Sequence, residues 1–278
     1  MKIVFWSEKE QAGSTFNMAA VACAAAMLYP VSIAVLAGGY EDQDLENQFQ
    51  FSENTKDIWR QSCMVAEESN YYVASGLDLL LRKSETEEFT DDYIKQQMKQ
   101  VVPKRLYCLP AGKKQYGKWW DKEEVFQKME LIEQKMENCF DVVFIDCGCR
   151  KDDFSIKMLE QADVCVMNMH QEEETIGEYY RKRMRFQGEV FFLVGNYFEE
   201  SVYTRENLER IYRVDEKNIG AIPYNVHLQA AGMKGRASGY VKSQLQGKCG
   251  LEFEKELTRS TQLIMQLAGI ETLNFLEC

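Results

Sequence analysis

Apolar residues along the chain fall into two kinds of stretch. Short unbroken runs recur at KIVFW (2–6), VSIAVLAGG (31–39), RLYCLP (105–110), DVVFIDCG (141–148), ADVCVMNM (162–169), EVFFLVGN (189–196) and NIGAIPY (218–224). Runs of this length, apolar at successive positions, predict strands buried on both faces. Between them lie charged segments such as TDDYIKQQMKQV (90–101) and KEEVFQKMELIEQKMENC (122–139), whose apolar residues recur at helical spacing. An alanine-rich helix is predicted from Ser14 to Leu28, closed by Pro30. A last helix, Leu251 to Ala268, sets Phe253, Leu257, Ile264 and Leu267 on one face. Buried strands alternating with helices predict an α/β fold: a mostly parallel, seven- or eight-stranded sheet with helices on both faces.

Ligands in such sheets bind beyond the carboxyl ends of the strands. Those ends fall at 7–15, 37–44, 146–153 and 195–199. The first is the small-residue turn inside WSEKEQAGSTFNMAA (6–20), at the start of the alanine-rich helix. The 278 residues contain four prolines and no linker-like stretch, so residues 1–278 read as one domain.

A formal net charge of −11 argues against non-specific nucleic-acid binding and against an anionic membrane surface, both of which need clustered cations. Basic and aromatic residues alternate in KKQYGKWW (113–120), which in so acidic a chain reads as a partner-binding loop. The acidic run SETEEFTDD (84–92) reads as a loop with Thr90 capping the helix after it. No apolar run reaches transmembrane length.

Nine cysteines are present, an odd number, and Cys23, Cys108 and Cys165 sit in apolar surroundings. They read as reduced thiols of a cytosolic protein, and nothing at the start looks like a secretion leader. Cys147-Gly-Cys149 lacks the second close pair that a metal site needs, and only His170 and His227 could add to it. Neither histidine stands in a Ser-His-Asp or Cys-His pattern, and no Gly-X-Gly-X-X-Gly follows the first strand.

The order of strand, small-residue turn, Ser-Thr, alanine-rich helix, FDVVFIDCG, ADVCVMNMHQ, FLVGN and IGAIPYN resembles the MinD/ParA group of P-loop ATPases over nearly the whole chain. Within that group GLDLLLR (76–82) and RLYCLPAGKK (105–114) are similar to the pilus-assembly localisation proteins TadZ and CpaE, in a form without their N-terminal receiver-like domain. KGRASGYVKSQ (234–244) resembles the C-terminal switch-like region of these relatives.

A working loop of the group reads Lys-Gly-Gly-X-Gly-Lys-Thr-Thr: glycines admit backbone N–H groups to the phosphates, lysine neutralises them, and the first Thr holds Mg²⁺. The resemblance places the phosphate loop at Lys9, Gln11, Ala12, Gly13, Ser14 and Thr15. Ser14-Thr15 match Thr-Thr, Gly13 the phosphate lysine, and Ala12 the glycine before it. The group's second lysine, which reaches a nucleotide across a dimer, falls at Glu8, and Lys9 replaces it only if the loop shifts by one residue. Two unit charges ~4 Å apart interact by roughly 4 kcal/mol at an effective dielectric of about 20, so acidic Glu8 and Glu10 oppose a polyphosphate.

The resemblance further places a Mg²⁺-linked aspartate at Asp146, acting with Ser14, and an adenine pocket at Asn196 and Pro223. Where relatives carry an Asp-X-Asp pair, this chain has Ala37-Gly38-Gly39, with Asp42 and Asp44 downstream. Two readings follow. One is a non-enzymatic scaffold that binds ATP or ADP with Mg²⁺ weakly or not at all, forms a homodimer and positions a pilus- or secretion-type machine from the cytoplasm. The other is a slow Mg²⁺-dependent ATPase acting in localisation or partitioning, and a different anion, such as a dinucleotide messenger, is a third ligand class.

Overall fold

The computed structural model describes residues 1–40, 42–49, 76–84, 86, 89–112, 122–172, 177, 186–247 and 252–271. In chain order the first half contains β1 (Lys2–Ser7), α1 (Ser14–Leu28), β2 (Ile33–Ala37), α2 (Asp44–Asn47), α3 (Leu77–Lys83), α4 (Asp91–Gln97), β3 (Lys99–Val102), β4 (Leu106–Cys108) and α5 (Lys122–Cys139). The second contains β5 (Val142–Gly148), α6 (Asp153–Glu160), β6 (Val164–Met169), β7 (Glu189–Tyr197), α7 (Arg205–Tyr212), β8 (Ile219–Pro223), α8 (Val226–Met233), α9 (Ala237–Gln246) and α10 (Glu252–Leu267).

These strands form one eight-stranded sheet in the order β3-β4-β2-β5-β1-β6-β7-β8. Every neighbouring pair is parallel except β3 with β4. The expected α/β architecture is therefore present, with β3 as its antiparallel edge strand.

Alternation along β1 shows why successive apolar residues are needed. Ile3 and Phe5 enter one core with α1, α9 and α10, while Val4 and Trp6 enter the other with α5 and α6. Phe5 meets Phe144 of β5 with ring centroids 5.6 Å apart. Burying each such side chain is worth ~1.5–3 kcal/mol, so both faces contribute to holding the sheet. Helix α1 is buried nearly all round by Met18, Val21, Cys23 and its alanines, and it packs on α9 and α10 as well as on the sheet. Its small side chains let three layers approach closely. Tyr29 ends it in extended conformation (φ −121°, ψ 144°), as the ring of Pro30 requires of the residue before it.

One predicted span is corrected. The helix expected over 90–101 stops at Gln97, because Met98 is extended (φ −89°, ψ 148°) and Lys99–Val102 pairs with β4. β-branched Val101 and Val102 stand just before Pro103, which disfavours helix for its predecessor. Thr90 caps this shortened helix as expected, accepting from the Tyr93 N–H at 3.3 Å. Residues 237–246 of the switch-like stretch form α9, tied to residues 48 and 49 through Ala237 N–H to Gln48 O and the Phe49–Arg236 bridge.

Candidate functional site

A cavity of about 1050 Å³ opens at the carboxyl ends of β1, β2 and β5. Its walls include Lys9, Gln11, Ala12, Gly13, Ser14 and Thr15 from the loop after β1, Asp42 and Asp44 after β2, Arg150 after β5, and Lys234 after α8. All six residues expected to form the phosphate loop thus line one cavity.

The loop is shaped by left-handed backbone at Gln11 (φ 61°) and Gly13 (φ 76°). Gly13 stands at the N-cap of α1 with no side-chain cap, so the N–H groups of the first turn face the cavity end of the helix. From outside, the His170 Nε2–H donates to the Glu10 carbonyl at 3.0 Å. Lys9 reaches Glu172 at 3.3 Å, and Glu8 pairs with Lys151 at 3.0 Å. Lys9 and Glu8 are therefore both partnered within the chain.

Below the loop lies a buried polar chain. Asn17 Nδ2 donates to Asn168 Oδ1 at 3.0 Å, Asn168 Nδ2 to Ser14 Oγ at 3.4 Å, and Ser14 Oγ to Asp146 Oδ1 at 3.1 Å. The Gly148 N–H also donates to Asp146 Oδ1, at 3.0 Å. Burial pushes the Asp146 carboxyl above its ordinary value, opposed by hydrogen bonds from Thr15, Gly148 and Ser14.

Arg150 forms the opposite wall. The Trp6 Nε1–H donates to its carbonyl at 2.7 Å, and its guanidinium pairs with Asp42 at 2.5 Å. Burial works against the Arg150 charge, but the hydrogen bond and charge of Asp42, with Asp146 adding, outweigh it and raise its pKa. Gly39 makes room: a Cβ there would lie 2.3 Å from Arg150 Nη2. Gly195 plays the same part for the loop, since its Cβ would lie 2.4 Å from the Ala12 carbonyl and 2.6 Å from Asn17 Nδ2.

Asn196, next to last in β7, and Pro223, last in β8, are not among the residues lining this cavity. Asn196 adopts φ 49° where the β7–β8 register shifts, and Pro223 pairs with Tyr197. The KKQYGKWW stretch lies outside the described residues. Among the described residues no group of three or more His, Cys, Asp or Glu is arranged to hold a metal, and no helix is long and apolar enough to cross a membrane.

Sequence reasoning missed Arg150, Asn17 and Asn168. The one local signal was Asn168 itself, a polar residue inside the apolar run of β6.

No protein-family model and no curated protein sequence matches the chain. Solved structures do. A ParA family ATPase from Chlorobium tepidum aligns over 94% of this chain and 98% of its own at 12% identity, with a TM-score of 0.65. The septum site-determining protein MinD from Pyrococcus horikoshii, complexed with Mg-ADP, aligns over 96% and 97% at 14% identity, TM-score 0.63. The MinC:MinD cell division complex from Aquifex aeolicus aligns over 97% and 96% at 17% identity, TM-score 0.59. The chain has the fold of the MinD/ParA-type P-loop ATPases.

Proposed function

We propose that this chain is a MinD/ParA-like positioning protein that uses the P-loop architecture chiefly as a scaffold. In this reading it binds ATP or ADP weakly or not at all, pairs with a second copy, and recruits or positions a secretion or pilus-type machine. The observation that carries it is Gly13. The resemblance sets the phosphate lysine there, and the residue present is a left-handed glycine (φ 76°) without a charge. Lys9, the substitute that a shifted loop would offer, points to Glu172 instead, at 3.3 Å.

An exposed aromatic pair supports a protein-binding role. Phe198 and Tyr224, 51% and 44% exposed, stack 5.3 Å apart beyond the carboxyl ends of β7 and β8. Aromatic side chains left in solvent favour interfaces. That MinD has been solved in complex with MinC shows this fold engaging a protein partner.

The slow-ATPase reading keeps one observation in its favour, the juxtaposition of Ser14 and Asp146 at 3.1 Å. Calorimetry with ATP and Mg²⁺ separates the two. The scaffold reading expects no heat or a dissociation constant weaker than about 0.1 mM. Micromolar affinity that disappears in Ser14→Ala would instead establish the ATPase site. Light scattering should find a dimer, and a pilus- or secretion-type ATPase encoded next door would support the choice of machine.

A further inference from the structure

Four apolar side chains stand in solvent just beyond β7 and β8: Phe198 and Val202 after the first, Tyr224 and Val226 after the second. Phe198 and Tyr224 stack with their planes at 26°. Hydrogen bonds fix the backbone beneath them. The Gln171 amide accepts from the Phe198 N–H at 2.9 Å and donates to the carbonyls of Phe198 at 2.8 Å and Tyr203 at 3.1 Å. Asn207 Nδ2 donates to the Val202 carbonyl at 2.8 Å, and the Tyr224 N–H to the Tyr197 carbonyl at 2.9 Å. An aromatic pair held in this way has little ordering left to lose when a partner covers it.

Its surroundings are acidic. Glu199 and Glu200 directly follow Phe198, and both are exposed. Glu256 reaches Arg205 at 3.8 Å, which brings the first turn of α10, with exposed Glu252, to the same loop. Burial raises the Glu252 carboxyl, and the charges of Glu199, Glu200 and Glu256 add to the rise. Arg205 itself is shared among Glu206, Glu209 and Glu256.

We infer that these four apolar side chains form a docking surface for a basic segment of a partner protein. The segment's apolar side chains cover Phe198 and Tyr224, and its Lys or Arg residues meet Glu199, Glu200 and Glu252. This rests on the recruiting role proposed above and gives the recruited partner its chemistry. A nucleic acid or an anionic lipid would instead bring phosphates against the carboxylates. A second copy placed by two-fold symmetry would set Glu199 and Glu200 against their own like.

The test is fluorescence anisotropy of a labelled peptide of Lys, Arg and Leu, with its leucines at helical spacing, titrated with the full chain. A second peptide carries Glu for each Lys and Arg, and a third carries Ser for each Leu. The wild-type chain should bind the first at least ~10-fold more tightly than either other. Phe198→Ser with Tyr224→Ser should weaken it at least ~10-fold, as loss of aromatic anchors does. Glu199→Gln with Glu200→Gln should weaken it about threefold or more at ~50 mM NaCl, and the gap should narrow at ~300 mM. Asp91→Asn with Asp92→Asn removes the same charge from exposed sites on α4, just before the far edge strand β3, and should bind like wild type. Should the serine variant not fold, Val202→Lys sets a cation on the surface and should weaken binding at least ~3-fold.

Equal binding of the three peptides, no binding of the basic one, or an aromatic or Val202→Lys variant that binds like wild type would each overturn the inference. So would an equal loss in the Asp91 and Glu199 pairs of variants. Light scattering should give the serine variant the mass of wild type, and a dimer reduced to monomer would overturn the basic partner in favour of a second copy. Micromolar ATP binding would fail the proposed scaffold and leave these titrations unchanged, whereas a silent peptide beside silent ATP would fail this inference alone.

Discussion

The Ser14 hydroxyl donates to the Asp146 carboxylate, Oγ to Oδ1 at 3.1 Å, across 132 residues of sequence. This bond joins the start of α1 to the carboxyl end of β5, and Asn168 and Asn17 extend it beneath the loop. Beneath the loop these four residues thus form one continuous chain of hydrogen bonds between α1, β5 and β6.

Replacing Ser14 with Ala removes a donor from a fully buried carboxylate and an acceptor from Asn168. A loss of about 1–3 kcal/mol is expected, since unsatisfied buried groups keep their desolvation cost. Urea unfolding measures it, and an unchanged midpoint would mean that the network adds nothing to stability.

Gly13→Lys combined with Glu8→Lys restores both lysines that the resemblance lacks. The structure adds a cost, because residue 13 is left-handed (φ 76°) and an L side chain there loses ~1–2 kcal/mol. The variant should be less stable by about that amount yet bind ATP at least ~10-fold more tightly, equivalent to about 1.4 kcal/mol. Calorimetry beside a denaturant melt checks both halves, and unchanged affinity would locate the defect elsewhere in the pocket.

Gly195→Ala should destabilise the fold by roughly 1–3 kcal/mol through overpacking, because its Cβ would meet the Ala12 carbonyl at 2.4 Å. The loop must shift to accept it, so amide exchange at residues 12–17 should quicken. A variant as stable as wild type would show that the loop is not held against β7.

Glu133 gives a pH dependence far from the cavity. It is fully buried beside Lys2, whose Nζ lies 2.9 Å away, and burial outweighs the lysine to raise its carboxyl from 4.5 to about 7. A carboxyl whose folded pKa lies above its unfolded one binds more protons when folded. Its contribution is therefore complete below pH 4.5 and disappears as pH rises toward about 7. At 1.36 kcal/mol per unit the span amounts to about 3 kcal/mol. Glu133→Gln should flatten the stability profile across that window in denaturant melts, and an unaltered profile would refute the assignment.

Residue order alone determined the buried strands, the helix from Ser14 to Leu28, and the cavity-lining loop from Lys9 to Thr15. Each of these depends on properties that neighbours in sequence share: runs apolar on both faces, an alanine-rich run closed by Pro30, and small residues before a helix. Tertiary structure decided what depends on partners far along the chain. Lys99–Val102 is a strand because β4 is there to pair with it. Arg150 finds Asp42 across 108 residues, and Asn17 finds Asn168 across 151. Gly39 and Gly195 are needed for the space that other segments occupy. Short-range periodicity reports which faces are buried, whereas charge pairing and close approach are set only when crossovers bring separate strand ends to one edge of the sheet.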